Sequence, residues 1–180
     1  MLQLICHRDT PAATVTSVEV GIERFADGRL WLRYHVEGQL EALELDEPRP
    51  PERTDNLWQS TCFEAFLRKQ GDDGYLEYNF APSSQWAAYA FDHYRSGGTD
   101  YVLKNAPQIL LDASEGHFAM ETEIHFPTNW RGSLVEVNLT AVIEETDGTK
   151  SYWALAHPPG KPDFHHRDCF ALQLEAPRGS

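Results

Sequence analysis

Apolar and polar residues alternate with a period of two along most of this chain, in short runs separated by turn-forming residues. Val18, Val20 and Ile22 alternate with Glu19, Gly21 and Glu23, and Leu30, Leu32, Tyr34 and Val36 alternate with Trp31, Arg33, His35 and Glu37. Ala26-Asp27-Gly28 lies between the two runs. That pattern predicts strand, turn, strand. Further strand-like runs fall at about 62–69, 74–81, 85–92, 108–112, 117–125, 133–143, 150–156 and 168–174. Gly71-Asp72-Asp73-Gly74, Ser96-Gly97-Gly98, Ser114-Glu115-Gly116 and Thr146-Asp147-Gly148 punctuate them. Helical periodicity is nearly absent, and only Pro127-Thr128-Asn129-Trp130 is expected to make a helical turn, started by the fixed φ of Pro127. Many short strands without crossover helices are most economically buried as two packed antiparallel sheets. The predicted fold is therefore an all-β, jelly-roll-like sandwich.

A length of 180 residues suits one core, so a single domain over 1–180 is expected. The segment 46–55 is charged and proline-rich and cannot hold a regular ladder; it is predicted to be an exposed loop. Fifteen basic against 28 acidic residues give a net charge of −13, which disfavours nucleic acid as a partner because phosphate binding needs a basic surface. No apolar run approaches the roughly 20 residues of a membrane-spanning helix. The N-terminus has neither the basic segment nor the apolar segment of a secretory signal, so a cytoplasmic location is expected. Cys6, Cys62 and Cys169 are odd in number and widely spaced, which fits reduced, strand-buried thiols better than a disulfide framework or a cysteine zinc site. Asn138-Leu139-Thr140 sits inside an alternating run and is read as strand.

Strand parity narrows the candidate site. In 62–67, Phe63, Ala65 and Leu67 share one face and Cys62, Glu64 and Phe66 the other. In 75–80, Leu76, Tyr78 and Phe80 share a face opposite Tyr75, Glu77 and Asn79. If these strands pair, Glu64, Glu77 and Asn79 form one polar cluster. That cluster is either a hydrogen-bonding platform for a polar ligand, or a solvated outer face, or an acid satisfied by an arginine such as Arg95. Of the five tryptophans, Trp31 and Trp130 are assigned to the core. Trp58, Trp86 and Trp153 lie near loops, where a flat ring can pack on the C–H face of a sugar. The loop from His157 to Asp168 carries three prolines, a glycine, three histidines and two aspartates. His157, His165 and His166 are candidate metal ligands, although the adjacent pair should point apart in extended backbone. The same histidines can equally bond loop carbonyls and aspartates.

No Gly-x-Ser-x-Gly, phosphate-cradling glycine loop or His-Glu-x-x-His occurs, and a Glu64–Glu77 acid/base pair would require a separation that sequence does not show. An enzyme is therefore not expected.

The runs Leu57-Trp58-Gln59-Ser60-Thr61-Cys62-Phe63-Glu64-Ala65-Phe66-Leu67, Tyr75 to Trp86, Tyr94-Arg95-Ser96-Gly97 and Tyr152 to His166 resemble DOMON-like domains related to type 9 carbohydrate-binding modules. The resemblance spans nearly the whole chain and implies a jelly-roll-like sandwich. Some relatives hold sugars between tryptophans, and others bind haem through Met and His. The chain departs from the sugar-binding modules at Thr61 or Cys62, where an acidic residue is common. For haem only Met1 and Met120 are present, and Met120 is in phase with Phe118 and Ile124 on an apolar face. A Met–His site is therefore not expected, while a His-based one stays open. The expected function is non-catalytic binding of a small polar ligand, a saccharide or sugar-containing molecule, with no cofactor required. The candidate ligand-binding residues are Trp58, Glu64, Glu77, Asn79, Trp86, Arg95, Trp153, His157, His165 and His166. The alternatives are a metal- or haem-binding sandwich built on loop histidines, or a protein-interaction module.

Overall fold

The computed structural model describes residues 1–114 and 116–178. Its strands are β1 (Leu2–Gln3), β2 (Ile5–Cys6), β3 (Val15–Arg24), β4 (Arg29–Gly38), β5 (Cys62–Lys69), β6 (Tyr75–Phe80), β7 (Trp86–Phe91), β8 (Thr99–Asp100), β9 (Ile109–Ser114), β10 (His117–His125), β11 (Leu134–Glu144), β12 (Lys150–Ala154) and β13 (Leu172–Glu175). One sheet has the order β1-β3-β4-β10-β9. The other has the order β2-β12-β11-β5-β6-β7-β8, with β13 added beside β11. Every strand pair is antiparallel. The expected two-sheet sandwich is the observed fold.

Alternation explains the core. Leu30, Leu32, Tyr34 and Val36 of β4 and Phe118, Met120 and Ile124 of β10 point inward from the smaller sheet. They meet Phe63, Ala65 and Leu67 of β5 and Val135, Val137, Leu139, Ala141 and Ile143 of β11. Tyr34, fully buried, donates its hydroxyl proton to the carbonyl of Glu64 at 2.6 Å, a polar link from one sheet to the other. Three elements were not anticipated: β1, β2 and β8 are two residues long and give no period to detect. The run expected at 168–174 is a strand only from Leu172. Arg167–Cys169 form a 3-10 turn capped by His166, whose Nδ1 accepts from the Asp168 amide at 3.2 Å. The turn predicted at 127–130 is a 3-10 turn over Thr128–Trp130. Glu115 of the expected Ser114–Gly116 turn lies outside the described residues.

The tryptophans divide differently from expectation. Trp130 is in the core, but Trp31 shares the outer parity of β4 with Arg33 and His35 and is only half-buried. Trp153 is the larger correction. On β12 it takes the inward parity, packs in the main core at 5% exposure, and gives its indole proton to Ser151 Oγ at 2.9 Å. Trp86 also packs against that core. Cys62 and Cys169 are buried and Cys6 half-buried; all three are free, and Cys169 lies in a 3-10 turn instead of a strand.

The feature that shapes the site is the edge of β11. Leu134–Val137 pair with β13 and Thr140–Glu144 with β12, so the segment 155–171 leaves and rejoins the same edge. It folds over the outer face of the larger sheet, where Asn138 donates to the Phe164 carbonyl at 3.0 Å. Phe164 and Phe170 there pack on Phe66, Tyr75 and Val142 as a second apolar cluster. Every residue of β6, and all of β5 except Lys69, is buried.

Replacing Trp153 with Ala is expected to cost about 3–5 kcal/mol of stability, the range for truncating a large buried aromatic. Trp58→Ala at an exposed site should change stability by less than about 0.5 kcal/mol. Urea unfolding of the two variants checks the contrast.

Candidate functional site

Beneath the 155–171 segment lies a cavity of about 890 Å³. Its floor is the outer face of the larger sheet. Register places Glu64 opposite both Asn79 and Thr140, and Glu77 opposite Phe66 and Tyr89. Glu64 and Glu77 are thus diagonal neighbours on adjacent strands, roughly 7–8 Å apart at the backbone and within reach of each other's long side chains. The solvated outer face considered from the sequence is excluded, because Glu64 is 2% and Glu77 5% exposed. Pairing with Arg95 is also not what the structure shows: the Arg95 guanidinium bonds Asp163 at 2.9 Å.

Aromatic rings make the walls. Tyr89 and Phe91 rise from β7, Tyr152 from β12, and Phe164 descends from the covering segment. The rim carries Asp55, Asn56, Trp58, Arg95 and Lys161. Two rim residues hold the left-handed conformation that non-glycine residues rarely adopt, Asn56 with φ 64° and Arg95 with φ 51°. Such strain persists only where surrounding structure enforces it. Arg95 sits in a turn closed by the Ser96 amide donating to the His93 carbonyl at 3.0 Å. Gly97 completes the turn at φ 69°, where a Cβ would collide with the Asp92 carboxylate. Asp163 then gathers Arg95, the Tyr94 hydroxyl and the His165 amide. On the other side, Tyr89 donates to Asp55 at 2.7 Å under the Arg53 guanidinium.

The floor's polar groups are connected. Thr140 Oγ1 donates to Glu64 Oε2 at 3.3 Å, and Asn79 Nδ2 donates to Glu77 Oε1 at 2.9 Å. The other Glu77 oxygen is 3.7 Å from His165 Nε2. His165 Nδ1 lies 2.7 Å from the Tyr75 hydroxyl, which accepts from the Arg95 amide at 3.2 Å. Tyr75 therefore has its own proton to give to Nδ1, an arrangement that leaves the ring proton on Nε2, facing Glu77.

Burial dominates the acid–base behaviour. It pushes the Glu64 carboxyl well above the usual range, helped by the charge of Glu77 and opposed by Thr140 and Arg95. It pushes Glu77 up to about 7 against the Asn79 hydrogen bond and Arg95. His165 is held down at about 4 by burial and by the positive charge of Arg95, with Asp163 opposing. Burial thus raises the proton affinity of both floor acids and keeps the imidazole neutral.

Of the ten sequence-derived candidates, Trp58, Glu64, Glu77, Arg95 and His165 line the cavity, and Asn79 supports it from beneath through Glu77. Trp86 and Trp153 do not reach it. His157 lies elsewhere, bonded to the Ile5 carbonyl at 2.8 Å and set edge-on to His7. His166 turns away from His165 toward Asp168 and Tyr94. The three loop histidines do not converge. Among the described residues no group of three or more His, Cys, Asp or Glu side chains is arranged to hold a metal ion. Sequence reading missed Tyr89, Tyr152, Phe164 and Tyr75. Parity separates Tyr152 from Trp153, yet only strand pairing says which of the two faces outward.

No protein-family model matches the chain, and no curated protein is similar to it in sequence. Solved structures are similar in shape. A presumed carbohydrate-binding protein from Bacteroides uniformis superposes with a TM-score of 0.71 at 15% identity, covering 97% of this chain and 84% of that one. A family 9 carbohydrate-binding module from Caldicellulosiruptor kristjanssonii, in complex with glucose, superposes with a TM-score of 0.57 at 12% identity, covering 91% and 78%. Both share the two-sheet sandwich fold of this chain. At such identities the likeness concerns the fold alone, and the ligand must be argued from the cavity.

The buried acids make stability depend on pH. Glu77 releases its proton near 4.5 when unfolded and near 7 when folded, so its favourable contribution is full below 4.5 and is lost as pH rises through 7. His165 acts oppositely, losing stability as pH falls from 6.5 to 4. Between 4.5 and 6.5 the two effects oppose each other; above 6.5 only the acids act. Stability is expected to fall as pH rises from 6.5 to 8, with Glu77 contributing roughly 1 kcal/mol of the loss, and Glu77→Gln should reduce that fall. Denaturant titrations across this range measure it.

Proposed function

We propose that this protein is a non-catalytic module that binds a saccharide or sugar-containing molecule in the cavity beneath the 155–171 segment. The observation that carries the reading is the meeting, in one concavity, of exposed and half-buried aromatic faces with buried carboxyl groups. Sugar rings present C–H faces that pack on π surfaces, while their hydroxyls need both donors and acceptors. Trp58, Tyr89, Phe91 and Tyr152 supply the first. The Glu64 and Glu77 carboxyls accept hydrogen bonds when ionised and donate when burial keeps the proton on, and His165 Nε2–H is a further donor. A volume of about 890 Å³ accommodates a monosaccharide or a disaccharide end. The fold shared with a module whose structure contains glucose supports the same reading.

Braced walls favour binding over conformational gating. Asp163 and Asp55 tie the rim to the sheet by several hydrogen bonds, so little ordering remains to oppose association. Trp58, at 49% exposure, is the free aromatic at the mouth and the natural reporter.

Glucose and cellobiose titrated against the protein should shift the tryptophan emission and release heat. Trp58→Ala and Glu77→Ala should each weaken binding by about tenfold or more, the equivalent of losing roughly 1.4 kcal/mol of stacking or hydrogen bonding. An absence of heat and of spectral change across a panel of mono- and disaccharides would overturn the proposal.

A further inference from the structure

Resting on the saccharide reading above, we infer that the cavity selects a sugar carrying an ammonium group, seated between the Glu64 and Glu77 carboxyls. The argument begins with how buried acids elsewhere in the molecule are satisfied. Glu145, 2% exposed, accepts from the amides of Ala13 and Thr14 at 2.9 and 3.1 Å. Even the half-buried Glu136 is held by the Arg68 guanidinium at 2.7 Å. Glu64 and Glu77 are buried as deeply as Glu145, yet among the described residues neither forms an ion pair with a lysine or arginine. Glu64 has one hydroxyl bond and Glu77 one amide bond. Among the described residues the Glu64 hydrogen bond goes to Oε2 and none to Oε1, and the side chain, 2% exposed, lines the cavity.

A buried carboxylate is normally paired or protonated, because removing its charge from water costs several kcal/mol. The cations of the cavity do not fill this role. Arg95 is bonded to Asp163, Lys161 is exposed at the rim, and His165 is neutral over its working range. What the floor lacks is a compact positive charge with several donors, and an ammonium provides three. The walls suit the same group, since the faces of Tyr89, Phe91 and Tyr152 attract a cation once it is desolvated. The chain's net charge of −13 favours the approach of a cationic ligand over an anionic one. Besides the two acids, the titratable groups facing the cavity are Asp55, Tyr89, Arg95, Tyr152, Lys161 and His165. Burial raises the proton affinity of both acids, Glu77 to about 7, so an incoming ammonium displaces protons from the acid pair.

Titration calorimetry at neutral pH with glucose, glucosamine and N-acetylglucosamine tests the inference. Glucosamine is expected to bind about tenfold tighter than either neutral sugar. It should also release protons, seen as heat that varies with the ionisation enthalpy of the buffer. Glu64→Gln and Glu77→Gln should each abolish the preference, bringing the ratio of glucosamine to glucose affinity to about one whatever the affinity for glucose itself becomes. If a variant does not fold, the wild-type comparison and its proton release decide alone. Equal or weaker binding of glucosamine than of glucose would overturn the ammonium selectivity and leave the saccharide reading standing. No heat with any of the three would remove both.

Discussion

The rest of this structure depends on two strands sharing one edge. β12 and β13 pair with different halves of β11, so the chain between them starts and ends on the same side of the larger sheet and must cross its outer face. An antiparallel sheet in a sandwich usually leaves that face in water. Here Phe164 and Phe170 close over it, anchored by the Asn138 amide, and residues that would be unremarkable on a wet surface become buried. Two glutamates that, among the described residues, pair with no lysine or arginine then lie at the bottom of a cavity. Their proton affinity, and the neutrality of His165, follow from that covering more than from any neighbouring charge.

The aromatic residues are sorted by the same geometry. Indoles that the chain places near loops end up mostly in the core, while tyrosine and phenylalanine line the cavity. Trp153 and Tyr152 are adjacent in sequence and lie on opposite faces of one strand. Tyrosine at the wall combines a flat face with a hydroxyl that can be tied down, as Tyr89 is to Asp55 and Tyr75 to His165. The site is consequently stiff: its rim is fixed by Asp163 on one side and Asp55 on the other, and two left-handed non-glycine positions, Asn56 and Arg95, lie within that braced rim.

Likeness in shape to carbohydrate-binding proteins at 12–15% identity shows how little of a sandwich's architecture depends on particular side chains. What must persist is alternation, strand length and turn placement. Ligand choice rests on a few outward-facing positions and on the segment that covers them, which is why the chemistry of the cavity carries the functional argument here.

Strand identity was legible because alternation is local: each inward residue of β3 to β7 and β9 to β11 follows from its neighbours two positions away. The same parity placed Glu64 with Cys62 and Phe66, and Glu77 with Asn79, before any pairing was known. Parity names two faces without saying which meets the core, however, and so Trp31 and Trp153 were misassigned. It is also silent on the path of an irregular proline-rich segment, whose course is set by contacts with residues far away in sequence. Fold class and the membership of each strand face were therefore determined by the residues themselves. The covering of one face, the diagonal placing of Glu64 beside Glu77, and the separation of His165 from His157 and His166 were decided only by tertiary structure, because burial and proximity arise from long-range packing that no local pattern encodes.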